Sequence, residues 1–316
     1  MIFKKIDDVL HDDVFLEING LIDDLDVIIK LECFNLGHSI KLKTAKALID
    51  AAEVDGIDAS KNRIIESSSG NLGVALSAIC ASRNYDFTCV VDKNTLKSNI
   101  KQMEAYGAKV IVIDKPDNRD GYLGSRIRYI KEQLSYDKDL IWLNQYRNPA
   151  NIEAHSSKTA QKIINEFPNL DYLFVGAGTT GTLMGCVDAF KNQLPKTKII
   201  AVDSIGSVTF GAPRSKRHIP GLGASVMPFF FDDEYLTDKI QVSEIETIKM
   251  CREIASKYGY LPGGSTGTVV AAIKKYASKI PKGSSVVAIS PDSGERYVST
   301  IYCDEWVHKN YSNCEV

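Results

Sequence analysis

Three short stretches of this sequence combine small and hydroxyl-bearing residues in a way that suits the capture of an anion. In "IIESSSGNLG", Ser67, Ser68, Ser69, Gly70 and Asn71 follow an apolar run and precede a helical pattern. A helix beginning near Asn71 offers backbone N–H groups without intrahelical partners, and with the hydroxyls these suit a carboxylate. The same residues equally make an ordinary helix cap with a glycine turn. In "FVGAGTTGTLMG", Gly178, Thr179, Thr180, Gly181 and Thr182 occupy the equivalent place between a strand and a helix. No lysine follows the last glycine, so this is not a nucleotide P-loop. Gly176, Gly178 and Gly181 nevertheless satisfy G-x-G-x-x-G, and Asp203 ends the next strand where a ribose-binding acid would stand. A dinucleotide site, a phosphate cradle of another kind and plain tight packing all fit that loop. The third stretch, "GYLPGGSTGTVVAA", sets Gly263, Gly264, Ser265, Thr266 and Gly267 before an apolar helix. Three such loops in one chain point to a small anionic ligand at convergent helix N-termini.

Covalent chemistry needs a nucleophile. "NLGHSIKLKTAK" offers Lys41, Lys43 and Lys46 where a strand gives way to a helix, with His38 just ahead. A lysine forms a Schiff base only with its amine deprotonated, which burial or a neighbouring positive charge promotes. Lys41 lies where the helix would start; by periodicity alone all three lysines also read as a solvated helix edge. No G-x-S-x-G elbow occurs, which argues against a Ser-His-Asp hydrolase.

The elements that must hold these residues alternate. Short β-rich runs ("DVIIKLE", "RIIES", "DFTCVVD", "KVIVID") are each followed by a helical pattern, such as "KLKTAKALIDAAEVDG", in which Ala45, Leu48, Ile49 and Ala52 share a face. Continuous apolar strands alternating with helices mean βαβ units and a parallel sheet. The pattern restarts after "IWLNQYRNPAN" with a helix over about 154–166, the strand "DYLFVGAG", a helix from Leu183 and the strand "KIIAVDSIG". The stretch 206–238, rich in glycine and proline and carrying "RSKRH", reads as a long ordered excursion near a ligand. Two further helices and the strand "SSVVAIS" close the chain.

Composition narrows the function classes. An apolar fraction of 44% and a charged fraction of 25% over 316 residues are those of a globular protein. Lys and Arg number 38 against 40 for Asp and Glu, a net charge of -2, which speaks against nucleic acid as a partner. The seven cysteines, Cys314 among them, form no C-x-x-C pair, so a metal knuckle is not expected and a reducing compartment is. No secretory signal and no membrane-length apolar run is visible, so the expectation is a cytoplasmic protein.

The stretches "KLECFNLGHSIK", "IIESSSGNLGVALS", "NQYRNPAN", "VGAGTTGTLMG", "IPGLGAS", "GGSTG" and "PDSGERYVST", in that order and at that separation, resemble the fold-type II pyridoxal-phosphate (PLP) enzymes of the cysteine synthase and cystathionine β-synthase family. The resemblance covers nearly the whole chain. It implies an α/β fold of two doubly wound domains with the cofactor in the cleft between them. A large PLP-binding domain would comprise 1–42 and 146–316, and a small mobile substrate domain 43–145. It also reassigns the Gly176–Gly181 loop from a dinucleotide to the cofactor phosphate.

Carried over by position, the resemblance makes Lys41 the lysine in Schiff-base linkage to PLP and places Asn71 on the cofactor's phenolic oxygen. Gly178, Thr179, Thr180, Gly181 and Thr182 would bind its phosphate, and Ser265 would face the pyridine nitrogen. Ser68, Ser69, Asn71 and Gln145 would bind the substrate carboxylate, with Gly221 near the amino-acid substrate. The implied reaction is β-elimination from an activated L-serine followed by addition of a nucleophile. A hydroxyl at Ser265 does not stabilise a protonated pyridine nitrogen, which favours elimination and replacement over transamination or racemisation. No metal is implied, and a homodimer acting on small amino acids is.

"VVDKN", "PDNRDGYLGSRI" and "LNQY" resemble the branch that joins O-phospho-L-serine to L-glutamate. That branch makes N-(2-amino-2-carboxyethyl)-L-glutamate for 2,3-diaminopropionate and siderophore assembly. Cysteine synthase, serine or threonine dehydratase and a non-catalytic partner retaining the fold are the alternatives. The chain departs from the family at Leu36, where a proline is usual, and at Leu42 and Lys43, where Asp-Arg is usual. The first loses turn stiffness, and the last keeps a positive charge without an arginine fork. Arg126, Arg128 and the cluster Arg214, Lys216, Arg217 and His218 are candidates for attracting an anionic substrate; solvated surface is the other reading of each.

Overall fold

The computed structural model describes residues 2–3, 5–22 and 25–311, so Cys314 lies outside the described residues. In chain order the strands are β1 (Phe15–Glu17), β2 (Val27–Leu31), β3 (Arg63–Ser67), β4 (Phe87–Asp92), β5 (Lys109–Ile113), β6 (Leu140–Trp142), β7 (Tyr172–Gly176), β8 (Lys198–Ser204), β9 (Asp238–Val242) and β10 (Val286–Ser290). The helices are α1 (Lys41–Val54), α2 (Asn71–Ser82), α3 (Lys97–Ala105), α4 (Gly121–Tyr136), α5 (Ala150–Ala154), α6 (Gln161–Glu166), α7 (Gly181–Gln193), α8 (Glu244–Tyr258), α9 (Gly264–Tyr276) and α10 (Asp304–Asn310). The chain divides into two compact units, one of residues 1–10 and 35–154, the other of residues 11–34 and 155–316.

The first unit is built on a four-stranded sheet in the order β5-β4-β3-β6, parallel throughout. Its central strands are apolar on successive residues because both faces are covered. Ile64, Cys89 and Val91 pack into a core with Leu48 of α1, Leu76 of α2 and Met103 of α3. Ile65 and Val90, pointing the other way, meet Ile130 of α4. The chain start is tied to this unit by Asp7, fully buried and ion-paired with Arg83 and, at 3.1 Å, with Lys46. Burial would raise the Asp7 carboxyl, but these two cations hold it below the usual range.

The second unit has a six-stranded sheet in the order β1-β2-β10-β7-β8-β9, with only the β1–β2 pair antiparallel. Val269, Val270 and Ile273 of α9 and Met250 and Ile254 of α8 fill one face against Phe174, Ile200, Val286 and Val27. The α8 start is a capping box visible in "SEIE": Ser243 Oγ accepts from the Glu246 N–H, and Glu246 answers on the Ser243 N–H at 2.8 Å.

The expected α/β architecture with parallel sheets is what the chain forms. The short strands β1, β6 and β9 had no counterpart in the apolar pattern, since each borrows its pairing from a neighbour. The helix expected over 154–166 begins at Ala150 and carries a π-helical stretch over His155–Ala160 before α6. The compact units also part at other positions than the expected 42/43 and 145/146. Residues 35–42 lead directly into α1, and 146–154 pack α5 against it, so both go with the smaller unit.

Candidate active site

In the first unit the β3–α2 loop carries Ser67, Ser68, Ser69, Gly70 and Asn71, and α2 begins at Asn71 as its sequence leads one to expect. Ser68 and Gln145 are buried, while Ser69 and Asn71 are half-buried. Ser68 Oγ accepts from the Gly73 N–H at 3.0 Å, so this hydroxyl caps the helix. Ser69 Oγ donates to Asp92 Oδ2 at 2.9 Å and receives Arg126 Nη1 at 2.6 Å. Arg126 Nε also lies 3.7 Å from Asp92 Oδ2. A guanidinium from the second turn of α4 is thus brought to the seryl loop, with only 11% of its side chain exposed. Arg128, two residues on, points away to Asp117 with 64% of its side chain exposed.

Gln145 is tied to the same loop from the other side. Its Nε2 donates to the Ser67 carbonyl at 2.8 Å, and the Tyr146 hydroxyl donates to that carbonyl at 3.0 Å. Beneath both lies Glu66, fully buried. Glu66 Oε1 accepts from the Ser67 N–H at 2.7 Å and from Trp142 Nε1 at 3.0 Å, while Oε2 accepts from the Gln145 N–H at 3.0 Å. Burial pushes the Glu66 carboxyl up to about 7 against these donors, which pull the other way. Sequence reasoning passed over Glu66 as the polar residue of an apolar strand; a carboxylate among "RIIES" was the available signal.

Lys41 is the first residue of α1, half-buried. The loop before it is braced without the proline: Asn35 Nδ2 donates to the Ser39 carbonyl at 3.0 Å, and Asn35 Oδ1 accepts from the Gly37 N–H at 2.9 Å. His38 sits at φ 52 in the left-handed region and is exposed. Lys43 is only 2% exposed and Lys46 is paired with Asp7 and Asp50, so neither belongs to a solvated edge.

In the second unit Gly178, Thr179, Thr180, Gly181 and Thr182 form the turn from β7 into α7. Thr180 adopts φ 67, uncommon for a β-branched residue, and its buried Oγ1 has no hydrogen-bond partner. Thr182 Oγ1 lies 3.3 Å from Nε2 of His155, a fully buried histidine on the π-helical stretch. Sequence reasoning missed His155 because the helical pattern there looked unbroken.

Gly221, Gly178 and Ser265 converge within this unit. A Cβ on Gly221 (φ +112) would fall 2.5 Å from Ser265 Oγ, and one on Gly178 would fall 3.0 Å from the Gly221 carbonyl oxygen. Ser265 is buried in the first turn of α9. Glycines that leave little room for side chains and an orphan Thr180 hydroxyl at the start of α7 fit a phosphate there. Asp203, the residue a ribose would need, is instead fully buried, accepts from the Ser204 N–H at 2.7 Å and is pushed up by desolvation. Arg217 is half-buried. Its Nη1 donates to the Leu222 carbonyl at 3.0 Å, bracing the Gly221–Gly223 turn, and burial lowers its guanidinium. Arg214 and Lys216 are exposed.

Among the described residues no group of His, Cys, Asp and Glu is placed to hold a metal, and no helix is long and apolar enough to cross a membrane. The family model described as pyridoxal-phosphate dependent enzyme matches residues 15–292. Among solved structures the chain is similar to O-ureido-L-serine synthase at 28% identity, over 100% of this chain and 98% of that one, with a TM-score of 0.88. A hydrogen sulfide-producing enzyme from Fusobacterium nucleatum aligns at 31% identity over 94% and 100% of the two chains, with a TM-score of 0.86. An O-acetylserine dependent cystathionine beta-synthase from Helicobacter pylori aligns at 29% over 95% and 98%, with a TM-score of 0.88.

The chain therefore belongs to the pyridoxal-phosphate dependent enzyme family and has its fold-type II architecture. It is a PLP-dependent synthase of the β-replacement class.

Proposed function

We propose that this enzyme replaces the phosphate of O-phospho-L-serine with the amine of L-glutamate, giving N-(2-amino-2-carboxyethyl)-L-glutamate and inorganic phosphate. The observation that carries the choice of donor is Arg126, a largely buried guanidinium 2.6 Å from Ser69 Oγ in the seryl loop. A doubly charged phosphate is the leaving group best matched to such a cation. The branch-specific stretches "VVDKN" and "PDNRDGYLGSRI" support the same donor and the glutamate acceptor.

Bound PLP supplies a carbonyl carbon for the amine and a conjugated ring that draws electrons from the substrate Cα. In this proposal Lys41 carries the cofactor and its Nζ takes the α-proton. Asn71 holds the phenolic oxygen, Gly178, Thr179, Thr180, Gly181 and Thr182 hold the phosphate, and Ser265 meets the ring nitrogen. Ser68, Ser69, Asn71 and Gln145 orient the substrate carboxylate, with Gly221 against the amino acid. The Cβ–O bond breaks with its electron pair leaving on phosphate. The Cα–H electron pair meanwhile forms a Cα=Cβ bond; the glutamate nitrogen then adds to Cβ and gives up a proton, and Lys41 Nζ returns a proton to Cα. The smaller unit acts as the mobile substrate domain, and two copies of the chain form a homodimer.

The test mixes the PLP-loaded enzyme with O-phospho-L-serine or O-acetyl-L-serine and adds L-glutamate, sulfide or L-cysteine in turn. Phosphate release with the glutamate adduct by mass spectrometry is the expected result. Cysteine as the main product would instead make sulfide the nucleophile. Pyruvate and ammonia as main products would make the chain a dehydratase.

A further inference from the structure

Resting on the assignment of Ser68, Ser69 and Gln145 to the substrate carboxylate, we propose that Glu66 is a positioning residue whose carboxylate locks the seryl loop to the Gln145 segment in the substrate-binding arrangement. The link is direct on both sides. Oε1 takes the N–H of Ser67, the residue before Ser68, and the indole N–H of Trp142, while Oε2 takes the N–H of Gln145 itself. Gln145 closes the ring by donating its side-chain N–H to the Ser67 carbonyl at 2.8 Å. Two loops from different strand ends, β3 and β6, are thereby joined through one carboxylate. The β3–β6 pairing ends at Ile65↔Trp142, and beyond it the Glu66, Gln145 and Tyr146 side chains link the two segments.

All the donors that meet Glu66 are N–H groups that cannot accept. The charged carboxylate accommodates every one. With the Asn144 N–H the donors number four, one for each carboxylate lone pair, so a proton on either oxygen displaces one of them. With a pKa of about 7, the lock passes from closed to open as pH falls through the neutral range. The other titratable groups facing this carboxylate are Cys89 on β4 and Tyr146 beside Gln145. Burial pushes the Cys89 thiol up to about 12 and raises the Tyr146 hydroxyl, so both stay protonated throughout. Arg126 on α4 is the remaining charge that acts on Cys89 and Tyr146.

Trp142 gives a readout at the lock itself. In a Trp306→Phe background, which removes the other tryptophan, the emission of Trp142 in the holoenzyme is followed from pH 5.5 to 8.5. L-Serine is the binding probe: its hydroxyl is a poor leaving group, and its Kd is calculated on the free-amine fraction at each pH, because only the unprotonated amine condenses with the cofactor. Its Kd is read from the visible absorbance of the bound cofactor. About one Glu66 in eleven is ionised one pH unit below its pKa and ten in eleven one unit above. The expected Kd at pH 6 is therefore about tenfold that at pH 8, with the Trp142 emission changing over the same midpoint. Glu66→Gln should abolish both dependences, weaken L-serine at least about tenfold at pH 8 and leave the cofactor absorbance in place. A Trp142 titration with flat L-serine binding overturns the proposal, as does a pH dependence unchanged in Glu66→Gln. If the glutamine variant does not fold, coincident midpoints in the Trp306→Phe enzyme support the proposal and separate midpoints refute it. Gln145→Ala and Ser69→Ala keep the two layers apart. If both leave L-serine binding unchanged, the loop assignment fails; if they weaken it while Glu66 is silent, only the Glu66 role fails.

Discussion

The β3–α2 and β7–α7 loops start from the same recipe, an apolar strand, a run of small and hydroxyl residues and a helix, and the protein finishes them differently. In the seryl loop nearly every polar atom is already engaged by side chains from elsewhere: Ser69 by Asp92 and Arg126, and Ser67 by Glu66, Gln145 and Tyr146. In the threonyl loop Thr182 meets His155 and Gly178 faces the Gly221 carbonyl, but Thr180 keeps a buried hydroxyl without a partner. The second loop is shaped by what is left out, as suits a permanent group of fixed geometry. The first is held by charges that a substrate can adjust, as suits a molecule that comes and goes.

The sharpest way to break this contrast is to remove the proposed covalent anchor. Lys41→Ala should lower turnover by roughly 10³-fold or more and abolish the visible band of lysine-linked PLP; a variant that keeps that band would displace Lys41 from its role. Next in size is Arg126→Ala. Loss of a charge-assisted contact should raise KM for O-phospho-L-serine about 10- to 100-fold and leave the O-acetyl donor much less affected. Equal effects on the two donors would remove Arg126 from donor choice.

On the threonyl side, Gly221→Ala sets a Cβ 2.5 Å from Ser265 Oγ at φ +112. It should cost about 1–3 kcal/mol in thermal or denaturant unfolding and weaken PLP retention on dialysis. Retention equal to wild type would show that the turn has slack.

The seryl loop also makes a statement about stability. The Glu66 carboxyl is raised from 4.5 to about 7 on folding, so between those values the folded state binds more protons than the unfolded one. Stability contributed by this group is therefore full below pH 4.5 and declines as pH rises towards 7, by about 3 kcal/mol at most. Glu66→Gln should flatten that slope in urea unfolding at pH 5 and pH 7. The smallest effect belongs to Arg128→Ala, which should change stability by under ~1 kcal/mol and leave donor KM alone. A donor effect as large as that of Arg126 would mean that general charge, not placement, serves the loop.

Much of the fold was legible because both loop types sit at the ends of apolar strands, and strand–helix alternation leaves few arrangements other than parallel sheets. Lys41, Asn71, Ser265 and the Gly178–Thr182 turn fall at helix starts, a position that local spacing announces. Arg126 and Arg128 were indistinguishable in sequence, because helical periodicity separates faces and says nothing about what each face meets. His155 was hidden by a π-helical stretch that hydrogen-bond register, not residue type, defines.

The amino-acid sequence by itself determined the alternating elements, the three hydroxyl loops and the lysine that opens α1, since each is a matter of residues near in the chain. Tertiary structure alone decided that Glu66 lies under Gln145, 79 residues away, and that Arg126 reaches Ser69 across 57. It likewise decided that Asp203 turns inward rather than towards a ribose. Burial and long-range hydrogen bonds depend on which elements pack together, and no local pattern encodes that.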